Sequence, residues 1–493
     1  MQRFESQLDQ SRPLARVAIG LGAVLALCWL AGCGSGVGPA TQMATTTPSP
    51  IVQTYFAPYV YQIPGEQAPL TYTFDDVKGA FSQTTYQPQT QPGPQVLNAG
   101  TLAVGQRGLR SLGITAAYTY DTFVSPSAYE PKTYPAPGLP GSFVVELAGQ
   151  TGGLVQMLNQ PVQPLVAATQ CPSFSSAQTY QFVTTPAPAS NQLDTGTPPN
   201  KPLIYQPIDT WNPTTDTAYG SVDIVSSGSA VTFQNIHQYT LSSGSPPQAP
   251  SSSTPITGAC GPTFFGNITN VPGQLIVTDP GGISESNPPQ ALVGIGSTNL
   301  LVEDNGQTTQ GFLPASSPTL PALPYNNVLG AGTGAVGLPK PSSQLATSAV
   351  VGAQYLGFIY EAGVGATPTS KAVPFSSNLA SFGVYSSASS GCPSVKTSTP
   401  AAVIYGGDFN PATSSNSNCD FAIDLGPQDT SNNGLYPEAK VWLGPTYPGY
   451  STGITYPFSA VAISGQLGNQ YAIFVIGFDS TQPWAIYLLQ SNN

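Results

Sequence analysis

The chain has 493 residues, of which 12 are Lys or Arg, 23 are Asp or Glu and one is His, so 7% are charged against roughly a quarter in ordinary soluble proteins. The net charge of −11 and the scatter of the few basic residues exclude a nucleic-acid partner, which needs clustered Lys and Arg to neutralise phosphates. The 52 Gly and 51 Pro exclude long helices, while 40% hydrophobic residues, with 20 Phe and 24 Tyr, supply enough apolar surface to exclude wholesale disorder.

Arg3, Arg12 and Arg16 precede an apolar run from Val17 to Leu30, followed by Ala31, Gly32 and Cys33. A basic start, a short apolar stretch and small residues read as a secretory leader over residues 1–32. Leu30-Ala31-Gly32-Cys33 resembles the lipobox of bacterial lipoproteins. The resemblance implies that Cys33 becomes the lipidated first residue of the mature protein, and Gly34 after it implies the outer membrane where the cell has one. Several acyl chains on one residue exceed what stable anchoring needs, so the expected membrane partner is reached by lipid and not by a spanning helix. Residues 33–50 carry no charge or aromatic ring and read as a tether.

From residue 51 onward, short β-type runs recur between Gly, Pro, Ser and Asn turns, which predicts an all-β fold of two or three antiparallel β-barrel or β-sandwich modules joined by Pro/Gly-rich loops. The expected division is 51–170, 171–312 and 345–493, with a Pro-rich linker over 313–344. Ser142 to Leu147 and Leu154 to Leu158 flank a Gly-rich turn and predict a hairpin in the first module. Ser221 to Ile224 and Ala230 to Phe233 predict another in the second, followed by His237, the single imidazole, on a strand. Gly332-Thr333-Gly334-Ala335-Val336-Gly337 fits the GxGxxG spacing of a phosphate-cradling turn. Pro339 and Pro341 stand where the required helix would run, which favours a linker. Phe458 to Ile463, Tyr471 to Ile476 and Ala485 to Leu489 predict a closing meander.

Outside the leader and the lipobox, four cysteines remain: Cys171, Cys260, Cys392 and Cys419. Four cysteines allow three pairings; Cys171 with Cys260 and Cys392 with Cys419 keeps each bridge within one module.

Two constellations near the C-terminus carry candidate chemistry. Asp429-Thr430-Ser431-Asn432-Asn433-Gly434 has the oxygen spacing of the first half of an EF-hand loop but Lys440 where the bidentate Glu belongs. An irregular calcium site would draw on Asp424, Asp429 and Glu438; the alternative is an Asn-rich turn capping its own backbone. Tyr436, Trp442, Tyr447, Tyr450 and Tyr456, interleaved with Pro and Gly, read either as rings presented to a ligand or as core. Gly449-Tyr450-Ser451-Thr452-Gly453 matches GxSxG, yet prolines precede it and no His follows, so no hydrolase elbow is expected. No catalytic residues are assigned. The functional expectation is a membrane-anchored, non-enzymatic exported protein binding a glycan, peptide or envelope partner. The alternatives are a hydrolase of extracellular polymers using carboxylates such as Asp75, Asp76, Glu146, Asp408 or Asp424, and a spacer without ligand.

Overall fold

The computed structural model describes residues 52–63, 66–86, 94–105, 109–120, 129–132, 143–146, 152–156, 162–166, 176–184, 213–214, 217–227, 230–241, 256–260, 274–277, 291–295, 301–304, 335–362, 375–383, 392–396, 402–410, 415–416, 419, 421–444, 457–479 and 483–491. The leader and Cys33 lie outside these residues, and so does Cys171. The all-β expectation is met, and all strand pairings are antiparallel.

The first sheet contains β1 (Val52–Ile63), β2 (Glu66–Asp75), β3 (Ala80–Tyr86), β4 (Pro94–Val104), β5 (Leu109–Tyr120), β6 (Tyr129–Lys132), β7 (Phe143–Glu146), β8 (Gly152–Gln156) and β9 (Gln163–Val166). Its order is β4-β3-β2-β1-β9-β8-β7-β5-β6, and β4 also pairs with β5. The hydrogen-bonded path therefore returns on itself through eight strands, which leaves no long unpaired edge. The expected hairpin around residue 150 is β7 with β8, in the register Val144↔Val155. Alternation sets the two faces: Tyr55, Tyr72, Phe74 and Phe81 fill the ring, while Leu109, Val145 and Leu154 face outward into a core shared with the rest of the molecule.

The second sheet is a closed barrel of β10 (Gln178–Thr184), β11 (Tyr219–Ser227), β12 (Ala230–Tyr239), β13 (Ile256–Cys260), β14 (Gln274–Val277), β15 (Ala291–Ile295), β16 (Leu301–Asp304) and β17 (Ala335–Pro339). The expected hairpin of the second module is β11 with β12, and His237 sits on β12 opposite Ser221. One expectation is corrected here. Residues 335–339, assigned to a linker over 313–344, form the strand that closes the barrel by pairing with both β10 and β16. The second ring thus runs past residue 312 to Pro339. The physical reason is the inner face: Ala335, Gly337 and Pro339 stand opposite Thr184, Phe182 and Tyr180, and small residues leave room for those rings. Val336 and Leu338 point outward into the shared core. Pro339 ends the strand, where its missing N–H is tolerated.

After a one-and-a-half-turn helix, α1 (Thr347–Gly352), the third sheet contains β18 (Tyr355–Ala362), β19 (Phe375–Gly383), β20 (Val403–Asn410), β21 (Ser415–Asn416), β22 (Phe421–Asp424), β23 (Leu435–Tyr436), β24 (Lys440–Leu443), β25 (Phe458–Leu467), β26 (Gln470–Phe478) and β27 (Pro483–Gln490). The order is β19-β18-β27-β26-β25-β24-β22-β20-β21, with β23 on β25, and the pairing β19–β20 closes a third eight-stranded path. The C-terminal meander is β25, β26 and β27, as expected from its sequence. Its strands read as continuous apolar runs because both faces are buried. Ile473, Val475, Ile486 and Leu488 fill the ring, while Phe474, Ile476, Tyr487 and Leu489 join the shared core with Leu356 and Phe358. Burial pushes the Tyr487 phenol well above its ordinary range.

Two glycines within strands have a common cause. Gly220 on β11 lies opposite Phe182, and Gly406 on β20 lies opposite Phe382. A Cβ at either position would run into that ring and a neighbouring carbonyl, of His237 and Ser381 respectively. Each Phe folds over the bare backbone of its partner, and the ring interior closes around it. Cys392 and Cys419 form a disulfide with Cα atoms 4.4 Å apart, tying residues 392–396 to the approach to β22. Cys260 ends β13, and its side chain lies outside the described set.

Candidate functional site

The sequence-derived candidates converge on the segment between β22 and β23, where the third ring meets the chain leaving the barrel. Asp424 ends β22, and its Oδ1 accepts the Gly426 N–H at 2.9 Å. Asp429 Oδ1 accepts the N–H groups of Ser431 and Asn432 at 2.8 and 2.7 Å, an Asx-type turn that its short side chain forms readily. Gly434 closes the loop at φ +83°, and a Cβ there would strike the Ser464 carbonyl, so the turn requires glycine.

Gln428 locks this loop to residues 340–345. Its Oε1 accepts from Gly434 N at 2.9 Å and Leu345 N at 3.1 Å. Its Nε2 donates to the Tyr436 hydroxyl at 3.0 Å and the Leu345 carbonyl at 3.2 Å, which uses both donors and both acceptors of the amide. Lys340 Nζ donates to the Ser431 carbonyl at 2.9 Å and to Asn432 Oδ1 at 3.3 Å, and Asn433 Nδ2 donates to the Pro341 carbonyl at 3.0 Å. Tyr239 of the barrel, stacked on Tyr219 at 5.0 Å, stands nearby; its hydroxyl is held above the ordinary range by burial and then by the Asp429 charge.

The loop takes the form of the second reading, a turn capping its own backbone. Asp424 and Asp429 turn their carboxylates onto backbone N–H groups, Glu438 is exposed, and among the described residues no three His, Cys, Asp or Glu side chains gather as a metal cluster. The cation that the oxygen-rich loop receives is the ammonium of Lys340. Lys340→Met is therefore expected to lower stability by about 1 kcal/mol, the scale of a charge-assisted hydrogen bond that is partly open to water. Millimolar calcium should leave the unfolding midpoint of the unsubstituted protein unchanged in a thermal melt; a calcium-dependent rise would restore the metal reading.

The aromatic expectation is corrected in part. Tyr436 is packed inside the third ring with its hydroxyl on Gln428, and burial raises its pKa. Trp442 is 2% exposed, on the opposite face of β24, against Val403 and Ala422. Neither ring is offered to solvent, because each sits on a strand buried on the face it projects from. Tyr447, Tyr450 and Tyr456 lie outside the described residues, as does the GxSxG segment.

Six aspartates have described carboxylates, and all six hold structure. Asp75 takes the Lys78 ammonium at 2.8 Å, and that hydrogen bond keeps its carboxyl below the usual range. Asp76 takes the Arg110 guanidinium in a two-pronged contact, with Nη2–Oδ2 at 2.9 Å and Nε–Oδ1 at 3.1 Å. Asp223 accepts from Thr179 and Asn235 at 2.6 and 2.7 Å beside a β-bulge where Asn235 takes φ +52°. Asp479 accepts the Trp484 indole N–H at 2.9 Å. Asp424 and Asp429 are the turn caps above. Of the carboxylates considered for hydrolysis, Asp75, Asp76 and Asp424 are engaged in this way, and the side chains of Glu146 and Asp408 lie outside the described set. The sequence reading missed Arg110, Lys340 and Gln428, whose partners are 34, 91 and 83 residues away and leave no local signal.

No family model matches the chain, and no curated protein matches it. Among solved structures the chain is similar to the isotype 1 transferrin binding protein B of serogroup B Neisseria meningitidis, at 8% identity and a TM-score of 0.17, over 88% of this chain and 69% of that one.

Proposed function

We propose that this chain is an exported, lipid-anchored envelope protein whose closed β rings form a scaffold for non-covalent binding of a glycan or envelope protein. The Cys392–Cys419 disulfide carries the reading, since structural disulfides belong to proteins that fold outside the reducing cytosol. The lipobox-like Leu30-Ala31-Gly32-Cys33 supplies the anchor, and Cys171 with Cys260 supplies a second bridge. The engagement of all six described Asp carboxylates in ion pairs, caps and side-chain bonds favours binding over acid–base chemistry. Ligand contact falls to Tyr447, Tyr450 and Tyr456, which lie between β24 and β25 and so between two strands fixed by their buried faces.

One experiment tests anchor and ligand together. The protein produced in a bacterial host is fractionated, and the Cys33→Ser form is expected to leave the membrane pellet for the soluble fraction. The soluble form carrying Tyr447→Ala and Tyr450→Ala is then expected to lose retention on a glycan array that retains the soluble form without them. Continued pelleting of Cys33→Ser would sink the anchor, and unchanged retention would remove the aromatic segment.

A further inference from the structure

The lipid-anchored reading, on which this inference rests, leaves open which face of the protein meets the bilayer. β1 begins at Val52, 19 residues after Cys33, and Val52 pairs with Asp75, the last residue of β2. The chain therefore enters the first ring beside the turn formed by residues 76–79. That turn is held from both sides. Asp76 is drawn inward onto Arg110, while Lys78 bonds back to Asp75 through both its ammonium, at 2.8 Å, and its backbone N–H, at 2.9 Å. The Leu102 N–H reaches the Gly79 carbonyl at 2.8 Å, which brings the end of β4 alongside.

With both carboxylates engaged, what the turn presents is Lys78, its side chain 79% exposed, and Val77, 75% exposed, while Val104 at the end of β4 is 41% exposed. The two valines are the exposed large hydrophobics among the described residues, and the pairing of Ala80 with Thr101 and of Leu102 N–H with the Gly79 carbonyl puts both at the same end of the first ring. Turns ordinarily put polar side chains outward; here the apolar Val77 stands out next to Lys78, at the end of the ring where β1 begins. Nineteen residues reach at most about 65 Å when fully extended, and this rim is where that reach ends on the folded body. A surface tethered to the anchor by 19 residues meets the bilayer at high effective concentration, so two small apolar tips suffice where an untethered protein would need a larger patch.

We propose that the rim formed by Val77 and Val104 is the membrane-facing end of the protein, resting in the headgroup region of the bilayer that holds the acyl chains of Cys33. A lipid surface is favoured over a protein partner because the anchor delivers this rim, and no other described apolar surface, to it.

The test uses the full lipidated chain in phosphatidylcholine vesicles carrying a nitroxide-labelled lipid. A fluorophore on Val77→Cys is compared with one on Gln466→Cys, an exposed position in the β25–β26 hairpin of the third ring. Quenching at residue 77 is expected to exceed that at 466 by about twofold or more, as for a group seated at the headgroup boundary. Val104→Cys provides the same readout should Val77→Cys fail to fold. Equal quenching at both positions overturns the inference, as does shielding of residue 77 by a co-purifying protein in detergent without vesicles. The mass of the N-terminal peptide separates the two layers: an unacylated Cys33 removes the anchoring reading itself, whereas an acylated Cys33 with equal quenching removes only the rim.

Discussion

Replacing Arg110 by Met is expected to lower the unfolding free energy by about 3–5 kcal/mol, the cost of stranding one partner of a buried ion pair. The size follows from burial: the Arg110 side chain is 0% exposed and that of Asp76 is 3%. Leu109 points into the shared core, so its neighbour Arg110 projects into the first ring, on the face of Val144 across the ladder. There the guanidinium meets Asp76 in the planar, two-pronged geometry that makes such pairs strong. Without it, a carboxylate remains in a site built around a cation. Urea unfolding followed by circular dichroism reads the loss as a lower midpoint at unchanged slope. Arg110→Met combined with Asp76→Leu should recover most of it, because a buried pair replaced as a unit by apolar groups is often nearly neutral. Lys78→Ala, which removes the exposed partner of Asp75, is expected to leave the midpoint almost where it was, since solvent screens that pair. A small effect of Arg110→Met would mean that water reaches the inside of the ring.

The parts of this fold that are legible in the sequence are those whose physics is local. The run from Phe458 to Leu489 announces two-sided burial because nearly every residue must be apolar to fill a ring on one face and the shared core on the other. The β7–β8 and β11–β12 hairpins are legible because Gly and Ser turns separate short strands of matching length. The barrel-closing strand at 335–339 is not legible. Its inner residues are Ala, Gly and Pro, chosen for lack of bulk opposite Phe182 and Tyr180, and in sequence they look like the linker around them. The loop from Asp429 to Gly434 shows its turn chemistry openly, but the ammonium that completes it comes from Lys340, brought there by the closure of the barrel. Sequence spacing also cannot separate a ring displayed on a loop from one packed inside. Tyr436 belongs with Phe421 and Ile473, and Trp442 with Val403 and Ala422 on the other face, and only the register of β22, β23, β24 and β25 reveals it.

Trp442→Ala is the substitution that separates those two roles most sharply. Trp442 stands opposite Ala422 on the outer face of the third ring, packed with Val403 and bordered by the partly buried Val395 and Tyr405. Val395 lies in residues 392–396, the segment that the Cys392–Cys419 bridge ties down, so the disulfide and the indole hold the same cover in place. Truncation removes the largest side chain in this cluster and leaves a cavity that Ala422 and a bridged segment cannot collapse to fill. The expected cost is about 3–5 kcal/mol, as for other buried Trp or Phe truncations. Trp442→Phe should restore part of it by refilling the apolar volume. A ring presented to a ligand would behave in the opposite way, with stability unchanged and binding lost. The deciding comparison is thus urea unfolding of Trp442→Ala and Trp442→Phe beside their retention on a glycan array under conditions where each is folded. A lowered midpoint with retention intact places the indole in the scaffold, and an unchanged midpoint with retention abolished would return it to the binding surface.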